Sequence, residues 1–177
     1  MMRKDTFLEV VNEEIAAVLP QAETRIRKAR ISDITAIAGL VNKHADIGDV
    51  LPRSEEDLSE GIRDFFVADG DDGVLGCSSL KIMGPDLAEV RSLVVSEQAQ
   101  GLGLGKALVV ACVSEAKELG IARVFALTAK PVFFEKLDFR RVPRSTFPQK
   151  IWKDCFQCKF FEACGEVAVQ YDFPQLP

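Results

Sequence analysis

The sequence predicts a single-domain protein of the α/β class, and three observations lead to that class. The chain has 177 residues, of which 47% are hydrophobic, enough for one core of ordinary size. Strand patterns come first, followed by a strand, a loop, a helix, a strand, a helix and further strands. Finally, an apolar strand runs directly into a glycine-rich loop that opens a helix, between Leu93 and Leu108. We therefore expect residues 25–177 to form the domain and residues 1–24 to be a helical extension.

Hydrophobic spacing and local stop signals define the elements of the first half. An added helix is predicted from Asp5 to Leu19, ended by Pro20. A helix capped by Ser32 should bury apolar side chains on one face, namely Ile34, Ile37, Ala38 and Val41. The remaining elements are a strand over 25–29, a loop over 44–53, a short helix opened by Ser54 and Asp57, and a hairpin of strands 65–69 and 74–83 across 70–73.

The second half alternates strands and helices. The predicted elements are a strand over 87–96, a helix over 104–119, a strand over 122–127, a short helix over 131–137, and strands over 139–142 and 166–173. Asp138 follows the short helix, and Asp is among the residues that tolerate a left-handed backbone there.

Charge and composition exclude several classes of function. The net charge is −5 and the pI is near 5.0, which argues against a nucleic-acid partner. No apolar run has the length of a membrane span, and the first residues lack a signal-peptide core, so we expect a cytoplasmic protein without a membrane partner. Five cysteines without an export signal are expected to be thiols or ligands, with Cys77 and Cys112 buried as packing residues.

The glycine-rich loop has the properties of a phosphate cradle. Gly101, Gly103 and Gly105 stand at alternate positions, so backbone N–H groups can approach an anion without obstruction by a Cβ atom, and the helix dipole adds to the attraction. The P-loop pattern is absent, because Ala107 stands where Ser or Thr would hold magnesium. The dinucleotide fingerprint GxGxxG is also absent.

The remaining pattern is Gln-x-x-Gly-x-Gly at Gln100, Gly103 and Gly105, preceded by the strand Ala88–Val95. It resembles the acetyl-coenzyme A loop of the GNAT family of N-acetyltransferases, and the resemblance covers roughly 26–172. It implies a mixed, mostly antiparallel sheet flanked by helices, with acetyl-coenzyme A (acetyl-CoA) as cosubstrate. The implied cofactor-binding residues are Leu93, Val94, Val95, Gln100, Gly101, Leu102, Gly103, Leu104, Gly105, Lys106, Phe133 and Phe134.

In this family, the strand before the loop splays from its neighbour, and unpaired backbone groups hold the pantetheine arm and polarise the thioester. By position, these groups belong to Val94 and Val95, and the Val95 N–H is the candidate oxyanion donor. Glu89 lies one pleat period from Arg91 and is the candidate catalytic base; the alternative is that the two form a half-exposed ion pair.

The residue that would protonate the departing thiolate, the general acid, differs from the family pattern. Many members carry Tyr-Glu-Lys-Leu-Gly-Phe, whereas this chain has Phe134 in place of the tyrosine. Phenylalanine has no proton to donate. Water, Ser92 or Tyr171 would then protonate the thiolate, or no acid is needed because a thiolate is already a fair leaving group.

Five segments, around residues 51–54, 62–67, 88–93, 127–137 and 148–155, resemble the short, single-domain bacterial N-acetylglutamate synthases. The resemblance implies acetyl transfer to the α-amine of L-glutamate, the entry step of arginine biosynthesis. Two carboxylates on the acceptor favour cationic partners. The candidate acceptor-binding residues are Arg91, Ser92, Arg53, Lys130 and Lys150.

Two alternatives stay open at this point. The same fold could acetylate another amino acid, a polyamine or a protein amine, or the chain could be a non-catalytic module that senses acyl-CoA or a metal. Cys155, Cys158 and Cys164 could supply three thiolates to zinc, with Asp154, Glu166 or a thiol of another chain as the fourth ligand. The sequence does not account for that fourth ligand, so we expect buried or redox-sensitive thiols and no metal in the chemistry. A homodimer is expected for a domain of this size.

Overall fold

A computed structural model describes residues 24–48, 50–148, 150, 155–157 and 164–174. The predicted helix from Asp5 to Leu19 lies outside the described residues, as does Cys158. A sheet of seven strands with the order β1-β2-β3-β4-β5-β7-β6 forms the centre. The strands are β1 (Arg25–Lys28), β2 (Phe65–Gly70), β3 (Gly73–Ile82), β4 (Leu87–Val95), β5 (Arg123–Thr128), β6 (Arg140–Val142) and β7 (Val167–Asp172).

Within the described residues, four α-helices accompany the sheet, and short 3-10 turns connect several elements. The helices are α1 (Ile34–Asp46), α2 (Glu55–Glu60), α3 (Leu104–Glu118) and α4 (Pro131–Glu135). The 3-10 turns span Ile31–Asp33, Ile62–Asp64, Glu97–Ala99, Arg144–Thr146 and Cys155–Gln157. The predicted order of elements is therefore confirmed from β1 to β7.

Neighbouring strands of the sheet run antiparallel except at one pair, β4 and β5. Strands β1 to β4 pair antiparallel in sequence order, β4 and β5 are parallel, and β7 inserts antiparallel between β5 and β6. The parallel pair requires a crossover, which α3 supplies. The predicted mixed, mostly antiparallel sheet flanked by helices is confirmed.

Helices cover both faces of the sheet. Val109, Val113 and Ala116 of α3 pack against Val90 and Val124 on one face. On the other face, the buried side of α1 packs on β2, β3 and the end of β4, and all four predicted inward residues of this helix are buried. On that face Phe147 stacks on Phe125 with ring centroids 3.9 Å apart, so the segment after β6 covers the second half of the sheet.

Local capping agrees with the sequence at one helix and differs at another. The Ser54 side chain accepts a hydrogen bond from the Asp57 N–H at 3.0 Å, as predicted for the start of α2. The predicted cap by Ser32 is wrong, since Ser32 lies within a 3-10 turn. There the Asp33 carboxylate accepts a hydrogen bond from the Arg30 N–H and binds the Arg27 guanidinium at 2.7 Å. Asp138 has a φ of 61°, the left-handed conformation expected for it.

No helix within the described ranges is long and apolar enough to cross a membrane.

Cys77 and Cys112 are buried in the core, as predicted, and burial raises the pKa of each thiol to about 12. At pH 8 the thiolate fraction is then only about 10⁻⁴. We expect neither residue to react with a disulfide reagent in the folded protein and both to react after denaturation, as measured by peptide mass spectrometry. Labelling of either within minutes under native conditions would contradict the packed core around them.

Candidate active site

Strands β4 and β5 pair only where they begin. Their register joins Leu87 to Arg123, Ala88 to Val124 and Glu89 to Phe125. Both strands are fully described and both continue, β4 to Val95 and β5 to Thr128. The two strands thus part after Glu89, and the second half of β4 has an open edge toward β5.

A β-bulge decides which backbone groups lie on this open edge. Before the bulge, the Met83 N–H donates to the Leu87 carbonyl at 2.9 Å, so Leu87, Glu89 and Arg91 turn their backbone groups toward β3. The register shifts between Cys77 and Ser79, where two β4 residues oppose one residue of β3. The backbone groups of β4 face its two edges alternately, and this alternation shifts by one residue around Ser92, a shift that we call the phase change.

After the bulge, the Ser96 N–H donates to the Leu75 carbonyl at 2.8 Å. By alternation, Val94 exchanges hydrogen bonds with Cys77, whereas the N–H and C=O of Val95 turn away from β3 into the gap. This direction is compatible with the Val95 N–H as oxyanion donor, a role that stays a prediction. The alternation corrects the expectation for Val94, whose backbone groups pair with β3 instead of facing the gap.

Ser92 itself has a φ of 53°, a left-handed conformation that is uncommon for serine, and its side chain is buried. The Ser79 hydroxyl donates to the Arg91 carbonyl at 3.2 Å and so supports the bulge from β3. Strain of this kind is typical of functional sites. Here it supplies the phase change that exposes the Val95 N–H.

Gly76, a residue that the sequence analysis did not single out, stands opposite Val95. A Cβ atom at this position would lie 2.8 Å from the Val94 carbonyl oxygen and 3.3 Å from the Val95 Cα. A glycine inside a strand pattern signals such a close approach of backbone, and this signal was available in the sequence.

The glycine-rich loop joins the open edge to α3. Gly101 and Gly103 have φ values of 80° and 79°, a conformation that favours glycine. Gly103 is the N-cap of α3 and supplies no side-chain cap, and its carbonyl accepts a hydrogen bond from the Ala107 N–H. The N–H groups of the first turn of α3 precede this bond, and no carbonyl of the same helix lies in position to accept from them.

Two phenylalanines predicted to contact the cofactor have different environments. The half-buried Phe133 ring lies over the start of α3, with its Cζ 3.6 Å from where a Cβ of Gly105 would stand. The Phe134 ring is 4% exposed and packs edge-on against Phe133 and Phe139. Phe133 therefore borders the loop, whereas Phe134 belongs to the core, which corrects the expectation for Phe134.

Tyr171 lies too far from Val95 in the sheet to donate a proton directly to the thiolate. It pairs with Val124, and Val124 pairs with Ala88. Ala88 lies seven residues before Val95 on β4, a distance of roughly 23 Å along an extended strand. The Tyr171 ring is buried against Phe139 and Phe173. Of the alternatives considered, water and Ser92 remain as donors.

Glu89 forms a buried ion pair with a residue far along the chain. The Lys150 Nζ lies 2.8 Å from Oε1 of Glu89, and the two side chains are 6% and 3% exposed. The interpretation of Glu89 as half of a half-exposed surface pair is therefore wrong. Lys150 was expected to bind a carboxylate of the acceptor, but its ammonium neutralises a carboxylate of the protein.

The other predicted acceptor residues occupy different positions. Arg91 is half-buried two residues from Glu89 on the same face of β4. Arg53 is also half-buried, and its backbone is held on α1 by Asn42, whose side chain accepts from the Arg53 N–H and donates to the Arg53 carbonyl, both at 2.9 Å. Lys130 is exposed at the start of α4, after the end of β5. Asn42 carried no signal in the sequence analysis.

The cysteine-rich segment is described only in part. Cys155 is buried, and this burial raises the pKa of its thiol, an effect opposed by Lys150 and Arg144 nearby. Cys164 is half-buried, with its sulfur 3.7 Å from a carboxylate oxygen of Glu166. Among the residues that the structure describes, no group of three or more His, Cys, Asp or Glu side chains is arranged to hold a metal ion. The three-cysteine zinc alternative includes Cys158, which lies outside the described residues, so it stays open beside the expectation of no metal.

Comparison with known proteins identifies the family. The acetyltransferase (GNAT) domain family matches residues 61–141. An uncharacterised N-acetyltransferase of Chlorobaculum tepidum is 40% identical over 151 residues, which are 85% of this chain and 97% of that protein. An amino-acid acetyltransferase of Mycobacterium tuberculosis is 30% identical over 77% of this chain and 79% of that protein.

A solved structure supports the same assignment. The N-acetylglutamate synthase of Neisseria gonorrhoeae, complexed with coenzyme A and N-acetyl-glutamate, superposes with a TM-score of 0.77 and 28% sequence identity. The match covers 88% of this chain and 36% of that protein, so the chain spans about a third of its length. The predicted N-acetyltransferase class and its cosubstrate, acetyl-CoA, are confirmed by these matches. The strand order, the parted strands β4 and β5, the glycine-rich loop and these likenesses agree: the chain belongs to the GNAT family of N-acetyltransferases.

Proposed function

We propose that this protein transfers the acetyl group of acetyl-CoA to the α-amine of an amino acid, and that the amino acid is L-glutamate. The observation that carries the proposal is the open edge of β4. It lies between an α3 N-terminus without a side-chain cap and a face of the sheet that carries Glu89 and Arg91. Both halves of an acetyl transfer, a cofactor site and an acceptor site, would then meet along one strand.

The loop fits the phosphate groups of the cosubstrate. A Cβ at Gly101 would meet open space, so the left-handed backbone, and not crowding, calls for glycine there. First-turn N–H groups and the helix dipole favour an anion at this end of α3, and Lys106 adds a positive charge. Phe133 would border the chain of the cosubstrate, together with Leu93, Gln100 and Leu102 as predicted, whereas Leu104 is 1% exposed and would contribute only its backbone N–H.

Acetyl-CoA supplies a thioester whose carbonyl is open to attack by an amine. The Val95 N–H would stabilise the oxyanion, because it faces the gap and the bulge fixes its direction. Glu89 would take the ammonium proton of the acceptor through a chain of waters, because Glu89 lies six residues before Val95 on β4, roughly 20 Å along the strand. The freed amine then forms the C–N bond. When the C–S bond breaks, the thiolate takes a proton from water or from Ser92.

Arginine side chains favour an acceptor with carboxylates. Arg91 and Arg53 are half-buried, and each has a buried Nε atom, an environment that strengthens bidentate binding of a carboxylate. They stand out as local positive charge in a chain of net charge −5. The names of the M. tuberculosis relative and of the N. gonorrhoeae structure support an amino acid, and glutamate in particular. Lys130 and Ser92 remain proposed contacts of the acceptor, at the edge of its site.

The test measures CoA release from acetyl-CoA with glutamate, glutamine, aspartate and spermidine, for the wild type and for Arg91→Ala. We expect turnover to be highest with glutamate and to fall about 10-fold to 100-fold in the variant, through a higher KM for glutamate. Arg63→Ala is the control, because Arg63 is exposed and lies outside β4. Turnover of spermidine alone, or an unchanged KM in Arg91→Ala, would overturn the acceptor assignment.

The predicted homodimer, the cytoplasmic location, the absence of a nucleic-acid partner and the division at residue 24 stay predictions. A sedimentation measurement tests the first of them. A role in arginine biosynthesis follows only if glutamate is the acceptor.

A further inference from the structure

The ion pair between Glu89 and Lys150 joins the central strand of the site to the segment that follows β6. Lys150 lies three residues after Phe147, which is itself 1% exposed and stacked on Phe125. Phe125 is the β5 residue paired with Glu89. The packing of Phe147 therefore brings the Lys150 ammonium against the Glu89 carboxylate.

A buried pair of this kind gains little stability over apolar residues of the same volume, because both charges lose their hydration. A role in the chemistry explains its presence better than a role in folding. The partner of the Lys150 ammonium matters here, because Glu89 is the carboxylate that the sequence analysis selected as the catalytic base. An ammonium beside it holds the carboxylate in its ionised form and fixes its direction.

We propose that Lys150 is a positioning residue for the catalytic base: it orients the Glu89 carboxylate and keeps it ionised, and it does not bind the acceptor. This inference rests on the proposed function of Glu89. It replaces the role expected for Lys150 from the resemblance and leaves Arg91 and Arg53 as the acceptor ligands.

Other charged groups face Glu89 or its partner and define the controls. Lys81 on β3 stands directly across from Glu89, but its ammonium lies 3.1 Å from the Asp64 carboxylate. Arg91 lies on the same strand and face, and Cys155 lies near both Lys150 and Arg144. On β5 the neighbour of Glu89 is the uncharged Phe125. Lys81 is thus a lysine close to Glu89 and on the same face, but its ammonium is paired with Asp64.

The test compares pH profiles of kcat/KM for the wild type, Lys150→Met, Lys150→Arg and Lys81→Met. Removal of the ammonium disfavours the ionised carboxylate, so the pKa of Glu89 should rise. We expect the acidic limb of the profile to move up by about one pH unit or more in Lys150→Met. Lys150→Arg should restore the limb, and Lys81→Met should leave it in place. The KM for the acceptor should change by less than about threefold, since Lys150 does not bind it.

An unmoved acidic limb in Lys150→Met, or a KM for the acceptor that rises while kcat stays unchanged, would overturn the inference and return Lys150 to the acceptor site. A second measurement tests the inference if Lys150→Met folds poorly or if no acceptor is turned over. Denaturant unfolding of Glu89→Gln, Lys150→Met and the double variant gives the coupling between the two residues. If no acceptor is turned over but the coupling is strong, the proposed function fails and the ion pair stands. A coupling near zero contradicts the pair itself.

Discussion

Glu89→Gln is expected to lower kcat/KM for acetyl transfer by about 10²-fold to 10⁴-fold, the usual contribution of a general base. Glutamine keeps the size of the side chain but cannot accept the proton of the acceptor ammonium. The carboxylate it replaces is 3% exposed at the start of the open edge of β4, so bulk water does not readily substitute for it. The measurement is CoA release at saturating acetyl-CoA, with CoA affinity determined separately by calorimetry.

Glu89→Gln also leaves a buried ammonium without its acid, which costs about 3 to 5 kcal/mol of stability. Loss of activity by unfolding is separated from loss of the base by the double variant Glu89→Gln/Lys150→Met, which removes both charges. We expect the double variant to recover stability and CoA binding while its activity stays low. Activity within about threefold of the wild type in a folded Glu89→Gln protein would make Glu89 a structural residue only.

Much of the fold was predictable from the sequence because its signals are local. The hairpin around Asp71, the cap at Ser54, the left-handed Asp138 and the buried face of α1 each depend on residues close together in the chain. The glycine-rich loop was predictable for the same reason. The prediction of Ser32 as the helix cap is wrong because the Asp33 carboxylate is the better acceptor for both the Arg30 N–H and the Arg27 guanidinium.

The candidate site was less predictable, because its geometry depends on pairings that are distant in sequence. The partner of Glu89 follows it by 61 residues and reaches it only through the packing of Phe147. The phase change at Ser92 depends on an extra residue in β4 relative to β3, which no local pattern reveals. The sequence alone allows Tyr171 as a proton donor, but the strand register places Tyr171 level with the beginning of β4, whereas Val95 is at the end of that strand.

The close approach of β3 and β4 at Gly76 leads to the second large effect. An alanine Cβ there would lie 2.8 Å from the Val94 carbonyl oxygen, and backbone on both sides leaves little room to adjust. We expect Gly76→Ala to destabilise the protein by about 1 to 3 kcal/mol through overpacking. Relief of the clash has to move Val94 and Val95, so kcat should fall at least about 10-fold as the Val95 N–H leaves its position.

Gly84→Ala is the matched control, because Gly84 lies in the β3–β4 connection and a Cβ there would have no atom within 4 Å. Thermal unfolding and kcat should be close to the wild type in this variant. Equal behaviour of the two alanine variants would contradict the close approach at Gly76. A Gly76→Ala protein that is destabilised yet keeps the wild-type kcat would instead remove the Val95 N–H from the mechanism, because its displacement would have had no chemical consequence.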